Sequence, residues 1–76
     1  MHVVVAKVNE VLFEGQARSL TVPGASGEMT VLGHHMPLVT TLLEGTITVR
    51  TDAAEKQFSI QNGVLEVRRD GATVIL

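Results

Sequence analysis

The sequence predicts an all-β fold, a flattened antiparallel β-sandwich of two sheets with about ten short strands. Helical spacing of apolar residues is absent from the 76-residue chain. Apolar and polar residues instead alternate along several segments, as they do in half-buried strands. Valine, isoleucine and threonine, which favour strands, are frequent in these segments. Turn dipeptides separate the segments at short intervals, which is typical of antiparallel sandwiches and barrels.

Residues 1–50 contain four strand candidates and one predicted hairpin. The strand candidates are residues 2–8, 11–14, 17–22 and 28–32. Farther along, Glu44-Gly45 interrupts an apolar segment and is predicted to close a hairpin, because a short loop containing glycine between two strand patterns is a hairpin signal. This turn would place Leu42 opposite Ile47.

Residues 56–76 are predicted to form a three-stranded meander. Asn62-Gly63 and Asp70-Gly71 are strong hairpin signals, because a type I′ turn needs positive φ at both central positions. The resulting pairs are Ile60 with Leu65, Phe58 with Val67, Val67 with Val74, and Leu65 with Leu76. Both turns put the same apolar residues on one face, whereas a shift of one residue would separate them. The whole chain, 1–76, is expected to be a single domain.

Composition restricts the classes of function. The chain has no cysteine, so a disulfide framework and a thiolate zinc site are excluded. Its formal net charge is −2 and it lacks Trp and Tyr. Without clustered cations or aromatic platforms, nucleic acid is not an expected partner. No apolar run reaches the roughly 18 residues that span a bilayer, and the first residues do not form a signal peptide. We therefore expect a soluble chain that meets a membrane only through a complex.

The stretch Gly33-His34-His35-Met36-Pro37 raises the question of a metal site, because histidine is the commonest metal ligand. Neighbouring side chains of an extended segment point to opposite sides, so the pair is poorly placed to chelate one ion. The third histidine is distant in sequence, and no carboxylates with ligand spacing accompany the pair. A structural loop is the better interpretation, with Gly33 supplying unusual dihedral angles and Pro37 fixing the exit. No metal or cofactor is expected.

Enzymatic chemistry has little support in the sequence. No nucleophile elbow, phosphate loop or paired acid motif occurs, and a catalytic histidine would need an orienting partner. A swinging-arm carrier domain would need a lysine at an exposed hairpin tip, but the predicted tips carry Glu-Gly, Asn-Gly and Asp-Gly. The residues themselves indicate a small β-scaffold that binds other proteins. Such a scaffold is either part of a larger complex or, as the alternative, a stand-alone protein-binding or carrier module.

Five short motifs add a family resemblance. They are Phe13-Glu14-Gly15, the turn from Gly24 to Glu28, the segment "HHMPL", the segment "GVLEV" and the closing "TVIL". In this order and spacing they resemble the amino-terminal domain of the epsilon subunit of F-type ATP synthases, over essentially the whole chain. The family usually has Pro-Gly-His-Ala-Pro at the histidine loop. Here His35 takes the place of the family histidine, and His34 stands where glycine is usual.

The resemblance implies a non-catalytic rotor subunit in the central stalk of an F-type ATP synthase. Such a subunit binds the gamma subunit and couples it to the membrane c ring in proton- or sodium-driven ATP synthesis. It would lie peripherally, at the cytoplasmic face of the bacterial inner membrane. Most members continue into a two-helix domain that inhibits ATP hydrolysis, and that role is not carried over to these residues.

The matching motifs also supply candidate contact residues. They are Ser26, Gly27 and Glu28 for the c ring, and His35, Met36 and Thr40 for the gamma subunit. A carboxylate at a turn tip is suited to pairing with a polar or basic loop, and methionine is suited to an adaptable interface. An unpartnered Glu28 and a core position for Met36 are the alternatives.

Overall fold

A computed structural model describes all 76 residues, and it contains nine strands and no helix. The strands are β1 (His2–Lys7), β2 (Glu10–Gln16), β3 (Ser19–Gly24), β4 (Gly27–Leu32), β5 (Leu38–Leu42), β6 (Gly45–Arg50), β7 (Glu55–Ile60), β8 (Gly63–Arg68) and β9 (Gly71–Ile75). The predicted all-β class is confirmed, with nine strands in place of about ten. No helix is present that is long and apolar enough to cross a membrane.

The nine strands form one hydrogen-bonded sheet that curls into two layers. The first layer has the order β2-β1-β9-β8-β5, and the second has β4-β3-β6-β7. The layers meet where Gly24 of β3 pairs with Leu42 of β5. All strand pairs are antiparallel except β1 and β9, which run parallel. The predicted antiparallel sandwich is therefore confirmed with one exception, the pairing of the first and last strands.

The core lies between the two layers. Alternate residues of β1 and β8 are buried, among them Val3, Val5, Leu65 and Val67. They join residues of the second layer in one cluster of 14 buried apolar side chains. Each buried Val, Leu or Ile contributes about 1.5–3 kcal/mol relative to an exposed one. Every buried side-chain nitrogen or oxygen has a hydrogen-bond partner, so burial leaves no uncompensated polar group.

The first hairpin of the predicted meander is wrong. β7 pairs only with β6, so Phe58 lies opposite Ile47 in the second layer. β8 pairs with β5 and β9 in the first layer. Gln61 and Asn62 therefore carry the chain from one layer to the other, and Gly63 begins β8. Ile60 and Leu65 are both buried, but they reach the core from opposite layers, and the apolar pattern does not distinguish these two arrangements.

Gly63 has a packing role in place of the predicted turn role. Its φ is not positive, since Gly27 is the one glycine with positive φ. A Cβ at residue 63 would lie 2.9 Å from the carbonyl oxygen of Ile75 and 2.9 Å from Leu76 Cδ2. Glycine is required here because two strands approach closely.

The second predicted hairpin exists, but its register differs from the prediction by two residues. Leu65 pairs with Val74, and Val67 pairs with Ala72. The prediction put Val67 opposite Val74 and Leu65 opposite Leu76. A shift of two residues keeps every side chain on its predicted face. The turn lies at residues 69–70, because Gly71 is needed as the first residue of β9, where it passes the backbone of β1.

The predicted hairpin at Glu44-Gly45 is also wrong. β5 and β6 do not pair with each other, and Leu42 does not face Ile47. Both strands lie along the same edge of β3, since β4 occupies its other edge. Residues 43–44 are therefore a kink through which one extended segment passes from the first layer into the second. Gly45 fits this kink because a Cβ there would lie 3.1 Å from two carbons of the Pro23 ring.

Candidate interaction sites at the two ends of the sandwich

Successive strands run from one end of the sandwich to the other, so the connections alternate between two ends. One end holds the β1–β2, β3–β4, β5–β6 and β7–β8 connections. The ionisable side chains at or beside these connections are Lys7, Glu10, Glu28 and Glu44. Three carboxylates against one ammonium group make this the acidic end.

The opposite end holds the other four connections and the amino terminus. All four arginines and all three histidines of the chain lie there: Arg18, Arg50, Arg68, Arg69, His2, His34 and His35. Ion pairs join Arg18 Nε to an Asp52 oxygen at 3.5 Å, and Arg50 Nε to a Glu55 oxygen at 3.3 Å. We refer to this end as the arginine end.

The hairpin tip between β3 and β4 is part of the acidic end. Gly24 pairs with Gly27, and Ala25 and Ser26 form the loop between them. Gly27 has φ of 124°, a backbone conformation that side chains rarely adopt. The amide of Ala25 donates a 3.1 Å hydrogen bond to the carbonyl oxygen of Thr41, which ties the tip to β5. Ser26, Gly27 and Glu28 are all exposed.

The loop of residues 33–37 lies at the arginine end. His34 is the one non-glycine residue with positive φ, at 65°. The unusual dihedral angle that was predicted for Gly33 therefore belongs to His34. His35 Nδ1 donates a 2.7 Å hydrogen bond to the carbonyl oxygen of Met36. The Met36 side chain is 79% exposed, so it is not part of the core.

Thr40 lies apart from the other two gamma candidates. Along β5, residues 38, 40 and 42 point toward the core, whereas Val39 and Thr41 point outward. Thr40 is half-buried and pairs with the buried Leu65. Its neighbour Val39 is 71% exposed. Val39 is an exposed residue that the family motifs do not indicate, although the spacing of Leu38 and Leu42 on one face of the strand predicts that Val39 lies on the other.

Two features of the structure bear on metal and acid–base chemistry. No group of three or more His, Cys, Asp or Glu residues is close enough to hold a metal ion. A shallow depression of about 220 Å³ lies at the acidic end. Its lining residues are Lys7, Ser59, Ile60, Gln61, Asn62 and Leu76. Lys7 is the one residue among them with a titratable side chain.

The outward face of the second layer is polar. The strand registers align Thr30, Thr21, Thr48 and Gln57 in one row across β4, β3, β6 and β7. The Thr21 and Thr30 hydroxyls share a 2.9 Å hydrogen bond, and Arg50 Nη1 donates to Thr21 Oγ1 at 3.2 Å. These groups satisfy one another, so this face is covered by its own polar side chains.

The outward face of the first layer differs near the acidic end. Val64, Ile75, Ala6 and Val11 form one row across β8, β9, β1 and β2. Three of them, Val64, Ile75 and Val11, have exposed side chains. Toward the arginine end the same face becomes charged, with Glu66 beside Arg68 and Glu14 beside His2. The apolar character is therefore confined to the part nearest the acidic end.

A curled β-sheet with a packed core and exposed connections at both ends defines a small β-sandwich domain. Residues 1–76 match the family described as "ATP synthase, Delta/Epsilon chain, beta-sandwich domain". The chain belongs to this family.

The chain is also similar in sequence to curated proteins named ATP synthase epsilon chain. The ATP synthase epsilon chain of Caulobacter vibrioides is 42% identical over 64 residues, which are 84% of this chain and 74% of the relative. The epsilon chain of Bordetella avium is 37% identical over 76 residues, which cover 99% of this chain and 54% of the relative. The chain thus spans about half the length of the Bordetella protein.

Solved structures show the same fold. A chain in the Euglena gracilis mitochondrial ATP synthase (OSCP/F1/c-ring) has a TM-score of 0.88 at 21% identity, covering 96% of this chain and 48% of that one. A chain in the central stalk/c-ring of the Tetrahymena thermophila mitochondrial ATP synthase has a TM-score of 0.82 at 11% identity, covering 97% and 60%. At such low sequence identity, these structural similarities show a shared fold.

Proposed function

We propose that residues 1–76 act as one domain, a non-catalytic rotor subunit in the central stalk of an F-type ATP synthase. The observation that carries this proposal is the match of all 76 residues to one family. Similar proteins named ATP synthase epsilon chain support it. The partners are the gamma subunit and the c ring. The domain lies at the cytoplasmic face of the bacterial inner membrane and is attached there through the complex.

The placement of the candidate contacts supports a linking role. The hairpin tip precedes β4 and the loop of residues 33–37 follows it, so the two sites lie at opposite ends of one strand. Five steps of about 3.3 Å separate Gly27 from Leu32, a distance of about 17 Å. Two partners can therefore bind at once without competing for the same surface.

In this proposal the c ring contacts Ser26, Gly27 and Glu28. All three are exposed, and Glu28 forms no ion pair within the chain. Its carboxylate is therefore free to pair with a polar or basic loop. The tip is also well anchored. The pairing of β3 with β4 and the hydrogen bond from the Ala25 amide to the Thr41 carbonyl oxygen fix its position.

The gamma subunit contacts His35 and Met36 in the loop of residues 33–37. Met36 supports this assignment, because an exposed methionine can adapt its flexible side chain to a partner surface. Thr40 points inward, so it contributes by fixing β5 against β8. The outward Val39, on the same strand, takes the direct contact.

Torque transmission requires a rigid link between the two partners. Close-packed interiors transmit strain with little compression. The sandwich has such an interior, and β3 continues the hydrogen bonding from one layer to the other through β5. A displacement at one end is thus passed to the other end by the packed layers.

Binding to purified gamma subunit tests the proposal. The chain should form a one-to-one complex with gamma on gel filtration at tens of micromolar. Met36→Ser should weaken the complex, whereas Thr30→Ser, on the polar outward face of the second layer, should leave it unchanged. A stand-alone binding or carrier module predicts no complex with gamma, and that result would overturn the proposed function.

A further inference from the structure

The depression at the acidic end lies where the two layers of the sandwich separate. Lys7 belongs to β1 of the first layer, whereas Ser59 and Ile60 belong to β7 of the second. Lys7 follows the buried Val3 and Val5 at intervals of two residues, so it starts from the core-facing side of its strand. Its side chain therefore leaves the core at this end of the gap between the layers and reaches the depression.

The apolar part of the lining is a small floor made of Ile60 and Leu76. Ile60 is a core residue, and Leu76 packs against the core with its side chain partly buried. The amide of Leu76 donates a 2.9 Å hydrogen bond to the carbonyl oxygen of Ala6, which holds Leu76 beside β1. A Cβ on Gly63 would lie 2.9 Å from Leu76 Cδ2, so the leucine side chain also lies close against β8. The apolar floor is therefore held in place by both strands.

Four polar side chains border this floor, and none of them forms a hydrogen bond or an ion pair within the chain. They are Lys7, Ser59, Gln61 and Asn62. The ammonium group, the hydroxyl and the two carboxamides can all donate hydrogen bonds. On the outward face of the second layer, by contrast, Thr21, Thr30 and Arg50 bond to one another. The polar groups around the depression are therefore left for solvent or for a ligand.

The lining of the depression carries a single positive charge. Lys7 is the one cation at the acidic end. Glu10 lies opposite Lys7 in the register of β1 and β2, but the two side chains form no ion pair and Glu10 does not line the depression. A ligand with one negative charge would balance Lys7 and accept charge-assisted hydrogen bonds from it. A dianion would leave one negative charge uncompensated at an end that already has three carboxylates.

We propose that this depression binds a small organic carboxylate with a short apolar chain. The carboxylate accepts hydrogen bonds from the Lys7 ammonium group and from the carboxamides of Gln61 and Asn62. The apolar chain packs against Ile60 and Leu76. A volume of about 220 Å³ admits a ligand of a few carbon atoms, smaller than the ligands that fill typical pockets. The site stands apart from the proposed gamma and c-ring contacts, because none of its lining residues is among them.

Butyrate is the probe, and n-butylammonium, which has a similar chain and the opposite charge, is its control. Titration of the isotope-labelled chain, followed by amide chemical shifts, should give saturable shifts at residues 59–62 and at Lys7 and Leu76. We expect a dissociation constant on the order of 1–10 mM, because a ligand with few atoms makes few contacts. Acetate should bind about fivefold more weakly, since it lacks two methylene groups to bury. n-Butylammonium should give no saturable shift at these residues.

Two variants with matched controls locate the site. Lys7→Met removes the ammonium group and retains most of the apolar stem, and it should weaken butyrate binding about tenfold. Lys56→Met is its control, because Lys56 also lies on the core-facing side of its strand but at the arginine end. Gln61→Glu adds a carboxylate to the lining and should abolish binding, whereas Gln16→Glu makes the same change at the arginine end and should leave it unaltered. All four replaced residues are exposed, so each variant should keep an amide spectrum that shows an intact fold.

Several outcomes would overturn the proposed site. They are the absence of saturable shifts with butyrate, shifts centred on the arginine end, and unchanged butyrate binding by Lys7→Met. Acetate binding as tightly as butyrate, or phosphate binding more tightly, would show a site for simple anions and would overturn the proposed ligand class. Saturable shifts with n-butylammonium at the same residues would show that apolar contact alone drives binding, which also contradicts the proposal. The complex with gamma remains a separate test of the proposed function, so the two can fail independently.

Discussion

Gly71 passes so close to His2 that a Cβ on residue 71 would overlap the carbonyl oxygen of His2. The two residues pair between β9 and β1, the one parallel pair in the sheet. This contact joins the first strand of the chain to the last. Residue 71 therefore constrains the closure of the first layer as well as the turn that precedes it.

Gly71→Ala should destabilise the fold, because the added methyl group must displace the backbone of β1. We expect a loss of about 1–3 kcal/mol, in the range for overpacked positions. Urea unfolding followed by far-ultraviolet circular dichroism measures this. Gly33→Ala is the matched control, because a Cβ there meets nothing within 4 Å and the φ of Gly33 is not positive. Equal stability of Gly71→Ala and Gly33→Ala would show that β1 and β9 are farther apart than described.

His34→Gly should stabilise the chain. A φ of 65° is unfavourable for a residue with a Cβ and is readily adopted by glycine. Glycine also makes the unfolded chain more flexible, which offsets part of the gain. The net increase in unfolding free energy should be about 0.5–1 kcal/mol. His35→Gly lacks the conformational benefit and should not stabilise. A lower melting temperature for His34→Gly would show that the imidazole makes a stabilising contact that outweighs the strain.

The sequence predicted which side chains face the core better than it predicted which strands are neighbours. Burial of Ile60 and Leu65 agrees with the predicted pattern. Their pairing does not, because inward-facing residues alternate in the same way whether two strands pair within a layer or face each other across the core. The dipeptides at residues 62–63 and 44–45 fit hairpins by composition. Their glycines are instead required by close contacts with Ile75, Leu76 and Pro23, and those contacts involve residues distant in sequence.

Only the location and exposure of the candidate contact residues can be compared with the structure, and the sequence predicted these in part. The family motifs located the hairpin tip and the histidine loop, and the structure shows both as exposed connections. They did not reveal that the two lie at opposite ends of β4. They also selected Thr40, which points inward, over the exposed Val39. The charge difference between the two ends depends on strand direction, so it becomes visible only when the topology is known.

Zinc and nickel should find no tight site at the histidine loop. His34 and His35 are adjacent, and no third ligand lies close enough to complete a metal site. A structural zinc site normally has four ligands in tetrahedral geometry. Calorimetric titration should therefore detect no site tighter than about 10 µM, and neither ion should raise the melting temperature. One tight site per chain that disappears in His35→Ala would contradict the assignment of this loop to protein contact.

Glu28→Ala should leave the fold intact and weaken attachment to the c ring in a salt-dependent manner. Glu28 is the exposed second residue of β4 and forms no ion pair, so truncation should change stability by less than about 0.5 kcal/mol. A charge at the rim of an interface mainly affects the association rate and its salt dependence. Heads carrying the variant should bind c-ring membranes more slowly at low ionic strength. The difference should narrow as salt shortens the Debye length to about 8 Å. Asp52→Ala is the control, because it removes the same charge at the arginine end. Equal slowing by both variants would indicate a general effect of net charge, and no slowing by Glu28→Ala would place the contact elsewhere.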